Sequence, residues 1–169
     1  PIQVEGPSVP VSQSVIQSEE GSKNTSYMDT TGHKTVGVGF NMDAESARRD
    51  WKDAEIPESF DDVYSGKQAL SDESVNKLYS KTGKRAERAA RAIVPNFDKL
   101  GENQQAALVS LVFQLGGEGL AKFKRTLGYL EEGNGKAVEN SLLASLLAKQ
   151  APARTRRQAL MLAYDMSHE

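Results

Sequence analysis

The 169-residue sequence contains no cysteine and only two histidines, His33 and His168. Without cysteine, a disulfide framework, a thiol nucleophile and a cysteine-ligated zinc are all excluded. Two histidines are too few for an ordinary histidine-built metal site, so no metal ion is expected. No apolar run reaches the length of a transmembrane helix, and the first residues lack a secretory signal, so no membrane insertion is expected.

The sequence also lacks an excess of charge of either sign. Its formal net charge is −2 although 26% of the residues are charged, so total charge gives no argument for a nucleic-acid partner, and none is expected. Hydrophobic residues make up 38%, which is enough to bury the core of one domain or of two small lobes. The segment Gly37-Val38-Gly39 is too short for a phosphate loop, so no nucleotide and no other cofactor is expected.

The first ten residues have the composition of a connecting segment. Pro1, Pro7 and Pro10 interrupt a stretch without helical periodicity. We therefore predict a linker or an extended arm over residues 1–10, followed by a single domain over residues 11–169. A linker would make this chain part of a longer polypeptide, whereas a trimmed arm would explain the same residues.

The elements predicted for the N-terminal part are a helix, a β-hairpin and a second helix. The first helix ends at Glu20, because Gly21 follows as a stop signal. Two short extended runs, 27–29 and 34–38, flank a glycine-containing turn and predict the hairpin. A polar helix then begins at Asn41 or Asp43 and runs to about Asp53, with Trp51 as its buried residue.

The rest of the chain is predicted to be helical. A long amphipathic helix begins after Ser71 and stops before Pro95. Residues 105–113 are apolar on nearly every side, which indicates a buried helix, and Gly116, Gly117 and Gly119 break it. Three further helices are predicted over 124–131, 136–147 and 152–166. The fold class is therefore α+β and mainly α: an N-terminal lobe (11–70) with the hairpin, a connecting helix (71–95) and a helical lobe (96–169).

Two carboxylates near the hairpin are candidates for acid–base chemistry. Hydrolysis of a glycosidic bond needs one acid to protonate the leaving oxygen and a second group that acts at the anomeric carbon. Glu20 lies at a helix end and Asp29 in the first strand of the hairpin, so both can face the same site. Thr35 lies nearly opposite Asp29 in the returning strand, where its hydroxyl could hold a water. The pair alone is not specific, since most of the 23 acidic residues are expected to be solvated surface groups.

The residues around this pair form a more specific pattern. It consists of Glu20-Gly21, Tyr27, Asp29-Thr30-x-Gly32 and Thr35-Val36-Gly37-Val38-Gly39. This pattern resembles the phage-type muramidases of glycoside hydrolase family 24, which carry Glu-Gly, Tyr-x-Asp-Thr-x-Gly and Thr-Ile-Gly-Ile-Gly at the same spacing. Residues 112–123 are similar to the central helix of that family and the glycine break after it, and residues 150–157 to the start of its last helices.

The resemblance implies a lysozyme-like fold with an active-site cleft between the two lobes. It implies an inverting, endo-acting N-acetylmuramidase that needs no cofactor and cleaves the β-1,4 bond between N-acetylmuramic acid and N-acetylglucosamine in peptidoglycan. Glu20 would be the general acid, Asp29 the base that directs water, and Thr35 the residue that positions this water.

Three further residues are candidates for substrate binding by the same resemblance: Gln114, Phe113 and Gly39. Gln114 would line the cleft from the helical lobe. The alternative for Gln114 is a polar side chain that satisfies backbone groups at a helix end. For Phe113, as for Tyr27, the alternative is a packing residue rather than a platform for a sugar.

The sequence departs from the family pattern in two residues and in its charge. Phe40 stands where members carry histidine after Gly-x-Gly, and Thr82 stands where an acidic partner of that histidine is expected. Because both changed together, we interpret them as a structural variation. Phage lysozymes that act freely on anionic walls tend to be basic, so the net charge of −2 favours delivery as part of a larger virion protein over release as an endolysin. Either way, synthesis in the infected bacterial cytoplasm and action on periplasmic peptidoglycan are expected.

Two other functions remain as alternatives. A lytic transglycosylase needs one catalytic acid and forms an anhydro product, but Asp29 and Thr35 would then have no role. A wall-binding or structural module of a virion protein would need no catalytic residues, so the intact set of Glu20, Asp29 and Thr35 argues against it.

Overall fold

A computed structural model describes residues 11–168, and the predicted linker or arm over residues 1–10 lies outside this described part. The described residues form two compact units, one of residues 16–86 and one of residues 11–15 with 87–168. Most of the chain is helical, and one small antiparallel sheet lies in the first unit, as expected for an α+β lysozyme fold. The helices are α1 (Val11–Glu20), α2 (Ala47–Asp53), α3 (Phe60–Tyr64), α4 (Asp72–Ile93), α5 (Glu102–Ala121), α6 (Lys124–Glu131), α7 (Gly135–Leu143), α8 (Leu146–Gln150) and α9 (Pro152–Tyr164).

The predicted hairpin is present and continues into a third strand. Strands β1 (Lys23–Met28) and β2 (Lys34–Gly37) pair antiparallel, and β3 (Phe40–Asn41) adds to β2. A helix from Asn41 or Asp43 was expected here, and this prediction is wrong, because α2 begins only at Ala47. The cause is the turn Gly37–Gly39, in which both glycines have positive φ (+63° and +66°) and reverse the chain so that Phe40 pairs with Val36.

Aromatic side chains form the core beside this sheet. The Trp51 ring lies 5.9 Å from the Phe40 ring and 5.1 Å from the ring of Phe60, the first residue of α3, a short helix not predicted from the sequence. Phe40 is therefore a buried packing residue and needs no charged partner. Thr82 donates its hydroxyl proton to backbone carbonyls of its own helix, including that of Leu78 at 3.2 Å.

The long helix α4 ends at Ile93, shortly before Pro95, as predicted. Its residue Arg85 forms two hydrogen bonds with the buried carboxylate of Asp50 on α2, at 2.8 and 3.1 Å. This bidentate ion pair connects α2 to α4 within the unit of residues 16–86.

The second unit is built around α5, whose apolar residues are buried as predicted. Of the three glycines predicted to break it, only Gly116 leaves the helical conformation (φ 74°, ψ 167°). Helix α6 has the predicted bounds, but the single helix predicted over 136–147 is wrong. The chain forms α7 and α8 instead, because Ser145 is extended (ψ 162°) and caps the end of α7 by donating its hydroxyl proton to Leu142 O at 2.6 Å.

Helix α9 packs against α5 and α7, and Pro152 occupies its first turn, as predicted. No single helix within residues 11–168 is long and apolar enough to cross a membrane. Only α5 and α6 taken together meet that test, by length and composition, and a bend of 99° separates them.

Candidate active site

Glu20 is the last residue of α1, as the sequence predicted. The helix ends because Gly21 adopts a positive φ (+78°), and its backbone N–H still reaches Gln17 O at 2.9 Å. The half-buried Glu20 side chain lies against the glycine turn: a Cβ atom at Gly39 would stand 3.7 Å from Glu20 Cγ and 4.0 Å from Cδ. Gly39, a predicted substrate-binding residue, is thus a direct neighbour of the candidate acid.

Asp29 lies directly after β1 rather than within the strand as predicted. Its Oδ1 accepts three hydrogen bonds, from the backbone N–H of His33 (2.9 Å), the backbone N–H of Thr31 (2.9 Å) and the Thr31 hydroxyl (2.8 Å). These donors, the His33 N–H first and the Thr31 hydroxyl next, lower the pKa of Asp29. The carboxylate is therefore ionised at neutral pH, and Oδ2 takes no part in these three bonds.

Thr31 and His33 are site residues that the sequence analysis missed. The Thr31 hydroxyl has one proton and donates it to Asp29, so His33 Nδ1, 2.8 Å from Thr31 Oγ1, must be the donor in that contact. The signal was present in the run Asp29-Thr-Thr-Gly32, because an aspartate whose side chain binds backbone N–H groups two residues on is typical of such turns.

Thr35 lies in the returning strand β2, as predicted, and its pairing partner is Tyr27, two residues before Asp29, to which it was predicted to lie nearly opposite. Asp29 faces His33 instead, because the backbone N–H of Asp29 donates to His33 O at 2.9 Å. The turn between the two strands is therefore shorter than predicted. Thr35 is 3% exposed, and its hydroxyl donates to His33 O at 3.0 Å. Because its proton is used there, Thr35 Oγ1 can act towards any further group only as an acceptor.

The pKa of Tyr27 is affected by both candidate carboxylates. Burial raises the pKa of Tyr27, and the negative charges of Glu20 and then Asp29 raise it further. The amine of Lys23 lies 4.4 Å from the centre of its ring. Tyr27 is therefore close enough to both Glu20 and Asp29 for their charges to affect its pKa, in addition to the packing role considered from the sequence.

Gln114 and Phe113 belong to α5, in the unit that does not contain Glu20, Asp29 and Thr35. Both side chains are half-buried. Gln114 Oε1 accepts a hydrogen bond from Gln158 Nε2 at 3.1 Å, so its partner is a side chain and not the backbone group that the alternative interpretation required. Substrate binding by these two residues stays a prediction.

Within residues 11–168, no three or more acidic or histidine side chains are arranged to hold a metal ion. The candidate residues of the unit of residues 16–86 are Glu20 at the end of α1, Asp29 in the turn after β1, and the paired strand residues Tyr27 and Thr35.

Comparison with known proteins gives the class of this molecule. The model of the phage lysozyme family matches residues 17–159, which include all six predicted site residues. The chain belongs to this family and is a lysozyme-type glycoside hydrolase, whose family implies peptidoglycan as the substrate. A similar protein is "Probable T4-type lysozyme 2" of Dictyostelium discoideum, which is 26% identical over 150 residues that cover 85% of this chain and 88% of the relative.

Proposed function

We propose that this lysozyme is an endo-acting N-acetylmuramidase that cleaves the β-1,4 bond between N-acetylmuramic acid and N-acetylglucosamine with inversion. Glu20 is the general acid, Asp29 the general base, and Thr35 the residue that positions the attacking water. Gly39, Gln114 and Phe113 bind the glycan.

The observation that carries this proposal is the different setting of the two carboxylates around Tyr27. Asp29 is held ionised by the turn, with Oδ1 occupied by three donors and Oδ2 outside those bonds. Glu20 comes from a separate element, the end of α1, and its side chain packs on a glycine. An ionised carboxylate that can act as base and a separate acid are compatible with inversion, in which a water fits between carboxyl groups roughly 6.5–9.5 Å apart.

The reaction balances with these groups alone. Glu20 donates its proton to the glycosidic oxygen as the bond between that oxygen and the anomeric carbon breaks. A water attacks the anomeric carbon from the opposite face, and Asp29 Oδ2 takes one of its protons. Thr35 Oγ1 accepts a hydrogen bond from the other water proton, which orients the water lone pair towards the carbon.

The experiment that tests the roles compares Glu20→Gln with Glu45→Gln, an exposed glutamate in the same unit. The variant Glu20→Gln is expected not to lyse permeabilised bacteria, so that the turbidity of the suspension stays constant. Its circular dichroism spectrum should be unchanged. Glu45→Gln is expected to retain parental activity. Lysis by Glu20→Gln at the parental rate would remove Glu20 from the mechanism.

Early products test the stereochemistry. Proton NMR is expected to show the α anomer first, and mass spectrometry a product that has gained one water. The β anomer appearing first, or a glycosyl-enzyme on Asp29, would assign a retaining mechanism. An anhydro product would make the protein a lytic transglycosylase, and binding of peptidoglycan without any product would make it a wall-binding module.

We further propose that the enzyme serves a bacteriophage and reaches periplasmic peptidoglycan as part of a larger virion protein. The support is the family resemblance together with the net charge of −2, which gives little attraction to an anionic wall. Mass measurement of the native polypeptide in purified virions is the test. If the polypeptide were absent from purified virions and present in the lysate as a separate chain, it would be an endolysin instead.

A further inference from the structure

Gln158 on α9 is a fully buried polar side chain that the proposed reaction does not use. It is 1% exposed, and its Nε2 donates to Ser110 Oγ at 3.2 Å and to Gln114 Oε1 at 3.1 Å. Ser110 and Gln114 stand four residues apart on α5, on the same face of that helix. Both protons of the Gln158 amide group therefore have acceptors on one neighbouring helix.

The other end of the same carboxamide has no such partner. Gln158 Oε1 is buried and accepts no hydrogen bond within the described residues. An unsatisfied buried carbonyl destabilises the folded state, whereas leucine or methionine would fill a similar volume without that cost. A polar group retained in the core under these conditions indicates a role other than packing.

The polarity of the contact fixes the orientation of Gln114. If the Gln158 carboxamide were turned over, its NH2 group would be buried without an acceptor, and orphaned N–H groups are rarer in proteins than under-satisfied carbonyls. In the observed orientation, Gln158 occupies the oxygen of Gln114. The NH2 group of the half-buried Gln114 then donates to no residue within 11–168.

A third residue stabilises this arrangement. Arg154, one turn before Gln158 on α9, donates from Nη2 to Ser110 Oγ at 3.3 Å. The Ser110 oxygen is thus an acceptor for two donors of α9, which favours the donor orientation of Gln158 Nε2 towards α5.

We propose that Gln158 is a positioning residue for substrate binding: it holds the carboxamide of Gln114 so that the NH2 group, and not the oxygen, faces an acceptor oxygen of the glycan. The inference rests on the proposed function, in which Gln114 binds substrate. With its NH2 group facing the glycan, Gln114 would bind an acceptor oxygen, either of a hydroxyl group or of an acetamido carbonyl.

The test measures KM and kcat on soluble peptidoglycan fragments. Gln158→Met has a similar volume and removes the donor, so we expect KM to rise about threefold to tenfold, the loss of one hydrogen bond, with kcat within about twofold. The melting temperature should not fall, because the unsatisfied oxygen is removed as well. Gln114→Glu keeps an acceptor for Gln158 but loses the donor to the glycan, and it should raise KM similarly.

The matched control is Thr126→Val, which removes a different buried polar group of the same unit. This group is the Thr126 hydroxyl, which is hydrogen-bonded to Ser141 Oγ at 2.8 Å. It should lower the melting temperature and leave KM unchanged. The double variant Gln114→Ala/Gln158→Met should be no worse than Gln114→Ala alone, since Gln158 acts through Gln114.

The outcomes separate this inference from the proposed function. An unchanged KM in Gln158→Met, or additive effects in the double variant, overturns the inference, while hydrolysis by the parent and an inactive Glu20→Gln leave the function standing. A parent that produces no cleavage overturns both. The same KM values are then measured with N-deacetylated fragments, and the KM of Gln158→Met is divided by the KM of the parent. A ratio that falls towards one supports an acetamido oxygen as the acceptor. A ratio equal to that on acetylated fragments supports a hydroxyl.

Discussion

The two oxygens of Asp29 have different environments, and this difference shapes its chemistry. Oδ1 is engaged by the turn that follows β1, so the carboxyl group is both oriented and kept ionised. A base held in this way is present in its active form down to acidic pH, at the expense of some proton affinity. In the proposed mechanism, the donors on Oδ1 would therefore set the acidic limit of the pH range in which the enzyme works.

The first prediction follows from the Thr31 hydroxyl, one of those donors. Thr31→Val removes a hydrogen bond to the charged form, so the pKa of Asp29 rises towards its ordinary value. The proposed mechanism requires ionised Asp29, so the low-pH limb of the kcat/KM profile should move to higher pH, while the high-pH limb stays in place. Thr25→Val, at an exposed position of β1, is the control and should leave both limbs unchanged. A parental profile for Thr31→Val would show that the acid limb does not report Asp29.

The second prediction concerns Gly39, which has a positive φ and lies against Glu20. In Gly39→Val the γ-methyl groups extend beyond the Cβ position and displace the Glu20 side chain. Displacing a catalytic group by about 1 Å costs up to about a hundredfold in rate, so we expect kcat to fall at least about tenfold.

Gly66→Val is the matched control for this change. Gly66 also has a positive φ (+84°), but a Cβ there meets nothing within 4 Å. Valine at either glycine strains the backbone by about 1–3 kcal/mol, so both variants should lose stability in thermal unfolding. Only Gly39→Val should lose kcat, and equal kcat in the two variants would mean that the contact with Glu20 has no catalytic consequence.

At the scale of elements, the ion pair between α2 and α4 has unequal partners. Asp50 is 3% exposed, whereas the Arg85 side chain is about half exposed. The hydrogen bonds from Arg85 are the main cause that lowers the pKa of Asp50, since they exceed the opposing effect of burial. The folded state therefore binds the Asp50 proton more weakly than the unfolded chain does.

The third prediction is a pH-dependent loss of stability in Asp50→Asn. A depressed folded pKa contributes stability that is fully present above the unfolded pKa of about 3.9 and is lost as pH falls through the folded pKa. Near pH 7, Asp50→Asn should lower the free energy of unfolding by about 1–2 kcal/mol, less than for a fully buried pair because water screens Arg85. The difference from the parent should shrink as the pH falls below about 4.

Urea unfolding at pH 7 and at acidic pH measures this effect. The control is Asp61→Asn, which breaks the pair of Asp61 with Arg48 at 2.7 Å, where both side chains are largely exposed. Little change is expected in that variant, because exposed ion pairs contribute little. A pH-independent difference between Asp50→Asn and the parent would contradict the assigned role of the Asp50 charge.

At the scale of the whole molecule, the small net charge is the sum of opposite net charges on the two units. Residues 16–86 carry 13 acidic and 10 basic side chains, a net charge of −3, whereas residues 87–169 carry 9 acidic and 11 basic side chains, a net charge of +2. The net charge of −2 gives the molecule little attraction to an anionic wall from a distance, but charges in solution act over about 8–10 Å at physiological salt. A wall in contact with the enzyme therefore responds to the charge of the nearer unit. The unit of positive charge is expected to promote association with the wall.

The fourth prediction tests this distribution with two triple variants of equal total charge. Changing the exposed residues Lys122, Lys124 and Arg125 to glutamine should slow lysis of isolated sacculi several-fold at low salt, because the unit of residues 87–169 loses its positive charge. Changing Lys52, Lys67 and Lys77, exposed residues of the other unit, should have a smaller effect. The difference should vanish in about 1 M salt and on soluble fragments. Equal slowing by both variants would show that total charge alone governs association.

The prediction of the fold was most accurate for the long helices. The periodicity up to Pro95 predicted α4, and the apolar run over 105–113 predicted α5, because these signals are local and repeat over several turns. Short elements were missed or merged: β3 and α3 were not predicted, and α7 and α8 were predicted as one helix. Their bounds depend on single residues such as Gly39 and Ser145, whose conformation follows from the contacts around them.

The sequence by itself determined the family, the α+β class and the identity of Glu20 and Asp29 as candidates, because the motif spacing and hydrophobic periods are written along the chain. Only the tertiary structure decided which contacts the candidate residues make. It paired Thr35 with Tyr27, occupied Asp29 Oδ1 with the turn, and brought Gln158 to Gln114 across 44 positions of sequence. The physical reason is that strand register and side-chain hydrogen bonds between distant residues depend on the packing of whole elements, and no local pattern specifies that packing.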